Sequence, residues 1–124
     1  MKKPLIVVMM LTLVVGVGFA KPLTDYDRNL IDLLKDGNSG IRSSAAQLLG
    51  ERKIEQAVKP LIKMLKSEKD YKARIVAAIA LFKIGAAEVL PVLKKVAQYD
   101  QNRTVRRVAT GLVEEFENLK LAKM

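Results

Sequence analysis

Arg42, Arg74 and Arg106 stand 32 residues apart, and they are the side chains of this chain whose type and spacing could do chemistry. A guanidinium is a planar fork of donors that grips a carboxylate or several carbonyls at once, so arginines at a fixed period suit a repeated structural clamp. Acids also occur close together, at Asp25/Asp27 and Glu114/Glu115, but at spacings typical of solvated acids on amphipathic helices. The chain has no histidine and no cysteine. It therefore offers no imidazole base, no thiolate nucleophile and no metal set built on those ligands, and a glycine-rich phosphate loop is also absent. The expectation is a protein that is not an enzyme and needs no cofactor or metal.

The elements that position the arginines can be read from the residues around them. Each opens a segment of small and aliphatic residues at helical intervals: Ile41-Arg42 with Ala45-Ala46 and Leu48-Leu49, Ala73-Arg74 with Ala77-Ala78 and Leu81, and Val105-Arg106 with Ala109, Leu112 and Val113. A second series recurs every 31 residues, from Leu30 to Leu34, Leu61 to Leu65 and Val92 to Val96, with Pro60 and Pro91 directly before its later copies. Two alternating helical patterns of that period predict an all-α fold, an αα-superhelix or short solenoid of three helix pairs. The pairs should cover about 24–52, 55–84 and 87–119. Thr24 with Asp27 forms a capping box for the first helix, which should run to about Lys35, and Ser39 is a cap for the second. Pro60 and Pro91 belong in first turns, so their helices should begin near residues 56 and 87. Gly85 should end the fourth helix in the left-handed conformation. Leu33, Leu34, Leu48, Leu49, Leu61, Leu65, Ala77, Leu81, Leu93, Leu112, Val113 and Phe116 are the predicted core.

Residues 1–20 are not part of the repeat. Lys2-Lys3, an apolar run from Leu5 to Val17, and Gly18 and Ala20 at the minus three and minus one positions match a secretory signal peptide cleaved after Ala20. The domain would then be residues 21–124, exported to the periplasm or the medium, with no membrane span after cleavage. A retained anchor is the alternative, although Pro4 to Ala20 gives 17 residues where about 20 are needed to span a bilayer. The chain has 22 basic and 13 acidic residues, and losing Lys2 and Lys3 with the signal leaves a net charge of +7. Such a charge favours acidic partners in general and also keeps a small protein soluble.

Ile41-Arg42, Ala45-Ala46 and Leu49-Gly50, with weaker copies at Ala73-Arg74 and Val105-Arg106, resemble HEAT-like repeats of the short variety named from phycobilisome lyases. The resemblance runs from about Leu23 to Phe116. It implies that an aspartate in the turn meets the arginine, a place that Asp36 fits for Arg42, with Asp70 or Asp100 at shifted spacing for the later arginines. Hydroxylases built from such repeats use His-Glu metal sites that this chain lacks. The resemblance also implies that the second helix of each pair lines a concave face. Its outward positions would then be Ile75, Val76 and Ile79 in the middle repeat and Arg107, Val108 and Gly111 in the last, which gives a protein-binding surface.

Two readings of the aliphatic stripe at Ile75, Val76 and Ile79 stay open: a helix buried on both sides, or a groove for a partner, which could be a second copy. The alternative function is binding of an anionic polymer or membrane surface through Lys59, Lys63 and Lys66 on the third helix and Lys94 and Lys95 on the fifth. Nucleic acid is a poor fit, because six aromatic residues, with Phe19 in the signal, leave few stacking platforms.

Overall fold

A computed structural model describes residues 22–124; the expected signal segment and cleavage point lie outside the described residues. Among these residues there are six α-helices and no strand: α1 Asp25–Leu33, α2 Ser39–Glu51, α3 Val58–Ser67, α4 Tyr71–Ile84, α5 Val89–Tyr99 and α6 Arg103–Ala122, with a 3-10 turn at Glu55–Ala57 leading into α3. Thr24 and Asp27 form the expected capping box: the Thr24 hydroxyl accepts from the Asp27 amide at 3.1 Å and the Asp27 carboxylate from the Thr24 amide at 3.4 Å. Asn38, not Ser39, caps α2, its Oδ1 accepting from the amides of Gly40 and Ile41 at 2.8 and 3.2 Å. The amide side chain one residue earlier reaches two of the orphan donors, and Ser39 becomes the first helical residue. Asp70 and Asn102 cap α4 and α6 in the same way, so the three caps share the period of the arginines.

Pro60 and Pro91 are both third residues of their helices, where a missing N–H is harmless. Those helices begin two residues later than expected, at Val58 and Val89, and α1 stops at Leu33. Gly85 closes α4 at φ 73°, in the left-handed region.

The helices α2, α4 and α6 lie side by side, and α1, α3 and α5 each pack on the following helix of their own pair. Leu34, Leu49, Leu61, Leu65, Ala77, Leu81 and Leu93 are buried as predicted, joined by Ala46, Ala57, Val58, Ala73 and Ala80. Leu33 and Leu48 are not core but exposed, because they point away from the second pair, toward the end of the stack. Leu112, Val113 and Phe116 are only partly buried, since α6 is covered on one side.

Between α2 and α4 the backbones approach closely: a Cβ on Gly50 would lie 2.7 Å from the Ala80 Cα. Between α4 and α6 the equivalent place is filled by Phe82, whose ring meets Phe116 edge to face at 6.3 Å, and the helices stand further apart.

Candidate functional site

The arginines form a ladder, built differently from the arrangement expected around Asp36. Arg42 donates from Nη1 to the backbone carbonyl of Asp36 at 2.7 Å, and from Nε and Nη2 to both carboxylate oxygens of Glu68 at 2.7 and 2.8 Å. Arg74 repeats the pattern on the carbonyls of Glu68 and Lys69 and, at 2.9 and 3.1 Å, on both oxygens of Asp100. Arg106 holds the carbonyls of Asp100 and Gln101. Each arginine thus closes its own turn through carbonyls, and Arg42 and Arg74 bridge to the next repeat through a carboxylate 26 residues on.

Asp36, Glu68 and Asp100 are repeat equivalents, each also accepting from an amide two residues later. Asp36 is therefore Arg42's carbonyl partner and not its carboxylate partner, while Asp70 is a cap. The signal was present in the sequence as a 32-residue series of acids parallel to the arginines. A second bridge, Arg52 to Asp27 at 2.7 Å, ties the end of α2 to the start of α1, with the guanidinium 5.0 Å from the centre of the Tyr26 ring.

Arg42's hydrogen bonds hold the Glu68 carboxyl below its usual range, against the opposing effect of burial, and Arg52 does the same for Asp27. A depressed carboxylate contributes stability that is present above its unfolded-state value and lost as pH falls through its lower folded-state value. The urea midpoint should therefore hold from neutral pH to about pH 5 and fall below the ordinary values of 4.5 and 3.8. Glu68→Ala leaves Arg42 Nε and Nη2 and the Asp70 amide without their acceptor, while Nη1 keeps the Asp36 carbonyl, so it should cost about 2–3 kcal/mol at neutral pH and flatten that acid decline. Urea titrations of both proteins at neutral and acid pH check this.

The residues expected to bind a partner separate into two places. Val76 and Ile79 line a hollow of about 260 Å³ with Gln47, Ala80 and Lys83, on the side where α2 and α4 run together. Arg107 and Gly111 line another with Arg103, Arg106, Thr110 and Glu114 at the far end of the stack. Ile75 and Val108 line neither. The middle stripe is half-buried: Ile75, Val76 and Ile79 are neither core nor free. A Cβ on Gly111 would meet nothing within 4 Å.

The lysines divide as well. Lys66 and Lys95 share a groove of about 700 Å³ between α3 and α5, with Lys69, Val92, Val96 and Tyr99. Lys63 lines the equivalent groove between α1 and α3. Lys94 is drawn to Glu117 at 3.1 Å, and Lys59 is exposed and lines neither groove. Among the described residues no cluster of acids has the makings of a metal site, and no helix is long and apolar enough to cross a membrane.

Three turns clamped by arginine at one period, each joining two antiparallel helices, define a helical repeat, and residues 28–113 match the sequence profile of HEAT repeats. The chain belongs to the HEAT-repeat family. HEAT repeats generally build scaffolds for protein interaction and are generally non-catalytic. A search of curated proteins finds no match to this chain.

Proposed function

We propose that this HEAT-repeat protein is an exported, non-catalytic scaffold that holds another protein on the face formed by α2, α4 and α6. Within the family, its repeats are of the short phycobilisome-lyase type. The observation that carries the reading is the half-buried aliphatic strip of Val76 and Ile79, set between the polar Gln47 and Lys83. Aliphatic side chains that a monomer leaves partly uncovered, rimmed by polar groups, gain by meeting a partner's apolar anchor. The closer packing of α2, α4 and α6 than of the outer helices supports a stack that curves toward this face. Export rests on the signal-like residues 1–20, and mass spectrometry of the protein recovered from the exporting cell reads the cleavage point directly.

The experiment is photocrosslinking from position 79, and in parallel from position 95, in an envelope extract at low and high salt. A partner bound to the inner face gives an adduct from position 79 that survives salt and is lost in a folded Val76→Asp chain. Adducts confined to position 95 and abolished by salt would replace this reading with the second one, binding of an anionic polymer or membrane surface. The grouping of Lys66, Lys69 and Lys95 around one groove favours that second reading over a scatter of solvated lysines. If Val76→Asp unfolds the chain, the strip is core and the inner-face reading fails.

A further inference from the structure

The end of the stack formed by α1 and α2 has the surface of an inter-repeat contact. Tyr26, Leu33, Ile41 and Leu48 are between 36% and 50% exposed, whereas the residues one repeat later, Ala57, Met64, Ala73 and Ala80, are at most 4% exposed. Ala80 is buried directly against Gly50 of the preceding pair. The same end carries an incomplete rung of the ladder. The Asp36 carboxylate accepts from the Asn38 amide, but among the described residues no guanidinium grips it as one grips Glu68 and Asp100.

The opposite end carries the complement. Arg106 uses Nη1 on the carbonyls of its own turn, while its Nε and Nη2, which in Arg42 and Arg74 hold the next repeat's carboxylate, hold no carboxylate among the described residues. Arg103 and Arg107 stand beside it around an open hollow. At the first end the exposed Asp32 stands one helical turn from Asp36, while Asp25 is paired to Arg28 at 2.8 Å. The two ends thus hold the two halves of one bridge, an ungripped carboxylate at Asp36 and a guanidinium at Arg106 whose Nε and Nη2 hold no carboxylate among the described residues.

We propose that copies of this chain associate head to tail, α6 of one against α1 and α2 of the next, with Arg106 gripping Asp36 of the neighbouring copy in the register of Arg42 on Glu68. The contact is looser than that between α2 and α4. Glu114 occupies the place of Gly50, and it would face the larger Leu48 in the place of Ala80. Charge therefore leads, and association is weak, salt-sensitive and open, because a heterologous contact does not close on itself at two copies. A two-fold pairing of the apolar ends would instead leave Arg106 without a carboxylate and Asp36 without a guanidinium.

Sedimentation velocity over a range of concentrations, on the chain as recovered from the expressing cell, tests this. At about 0.05 M salt the average mass should grow beyond a dimer, and at about 0.5 M it should return to that of a monomer. Arg106→Glu, which sets like charges opposed, should weaken association by about tenfold or more. Asp36→Asn keeps the Asn38 contact and should weaken association without touching the fold, and the swap Asp36→Arg with Arg106→Glu should restore it. A wild type that is monomeric throughout, a closed dimer indifferent to Asp36→Asn, or a folded double variant that fails to reassemble would each overturn the proposal.

Discussion

Ala78→Asp is expected to abolish the folded state at neutral pH. Ala78 lies on α4 with its methyl group buried in the single core that all three pairs share. A carboxylate there has two options. Holding the charge without a partner costs far more than the fold can supply. Taking up a proton at pH 7, about three units above an ordinary aspartate value, costs about 4 kcal/mol, and burying the neutral group adds about 1–3 kcal/mol. The sum meets or exceeds the lower part of the range of about 5–15 kcal/mol typical of domains, where a short stack belongs. Circular dichroism should show loss of the helical signal or of a cooperative melt. Lowering the pH to about 5 lessens the cost of protonation by about 3 kcal/mol but not that of burying the neutral group, and below about pH 5 the Glu68 and Asp27 contributions begin to be lost. A variant that melts like the wild type would place Ala78 outside the core.

Gly50→Val should also be strongly destabilising, for the opposite reason. The new Cβ falls 2.7 Å from the Cα and 2.9 Å from the Cβ of Ala80, and the obstacle is backbone of a neighbouring helix that cannot rotate aside. Replacing a helical glycine normally gains up to about 1 kcal/mol of propensity, and overpacking costs about 1–3 kcal/mol or more. With two further methyl groups to place, valine should lose about 3 kcal/mol on balance. Gly111 supplies the contrast. It is also helical, its Cβ would meet nothing, and Gly111→Ala should therefore raise stability by up to about 1 kcal/mol. Urea midpoints of the two variants should move in opposite directions; a shift in the same direction would mean that the α2–α4 spacing is not what limits position 50.

What the sequence made legible was local or periodic. The Thr24–Asp27 box, Gly85 and the two prolines act within a turn of their own helix, so their roles follow from residue type and position. Helical periodicity in turn picked out the alanine and leucine stripes that became the core. It could not distinguish Leu33 and Leu48 from their buried equivalents, because a pattern says which stripe is apolar and not whether a neighbour covers it. The cap shifted from Ser39 to Asn38 because both side chains are competent and only backbone geometry chooses between them. Glu68 was not legible as an arginine partner, and Asp100, expected within its own turn, meets Arg74 instead, because the bridge crosses to the next repeat and the family pattern places the acid in the arginine's own turn. Of the candidate surface, the aliphatic strip at Val76 and Ile79 was readable from composition. The separation of Arg107 and Gly111 from it was not, since it depends on how far α6 stands from α4.

That distance has a mechanical consequence. The stack has two joints of unequal stiffness: one in which glycine meets alanine backbone to backbone, with no side-chain layer to shear, and one in which two aromatic rings act as a bearing. Load on the molecule will be taken up at the second joint. The last helix pair should then move against the first two more readily than those two move against each other, by as much as the two phenylalanine rings allow.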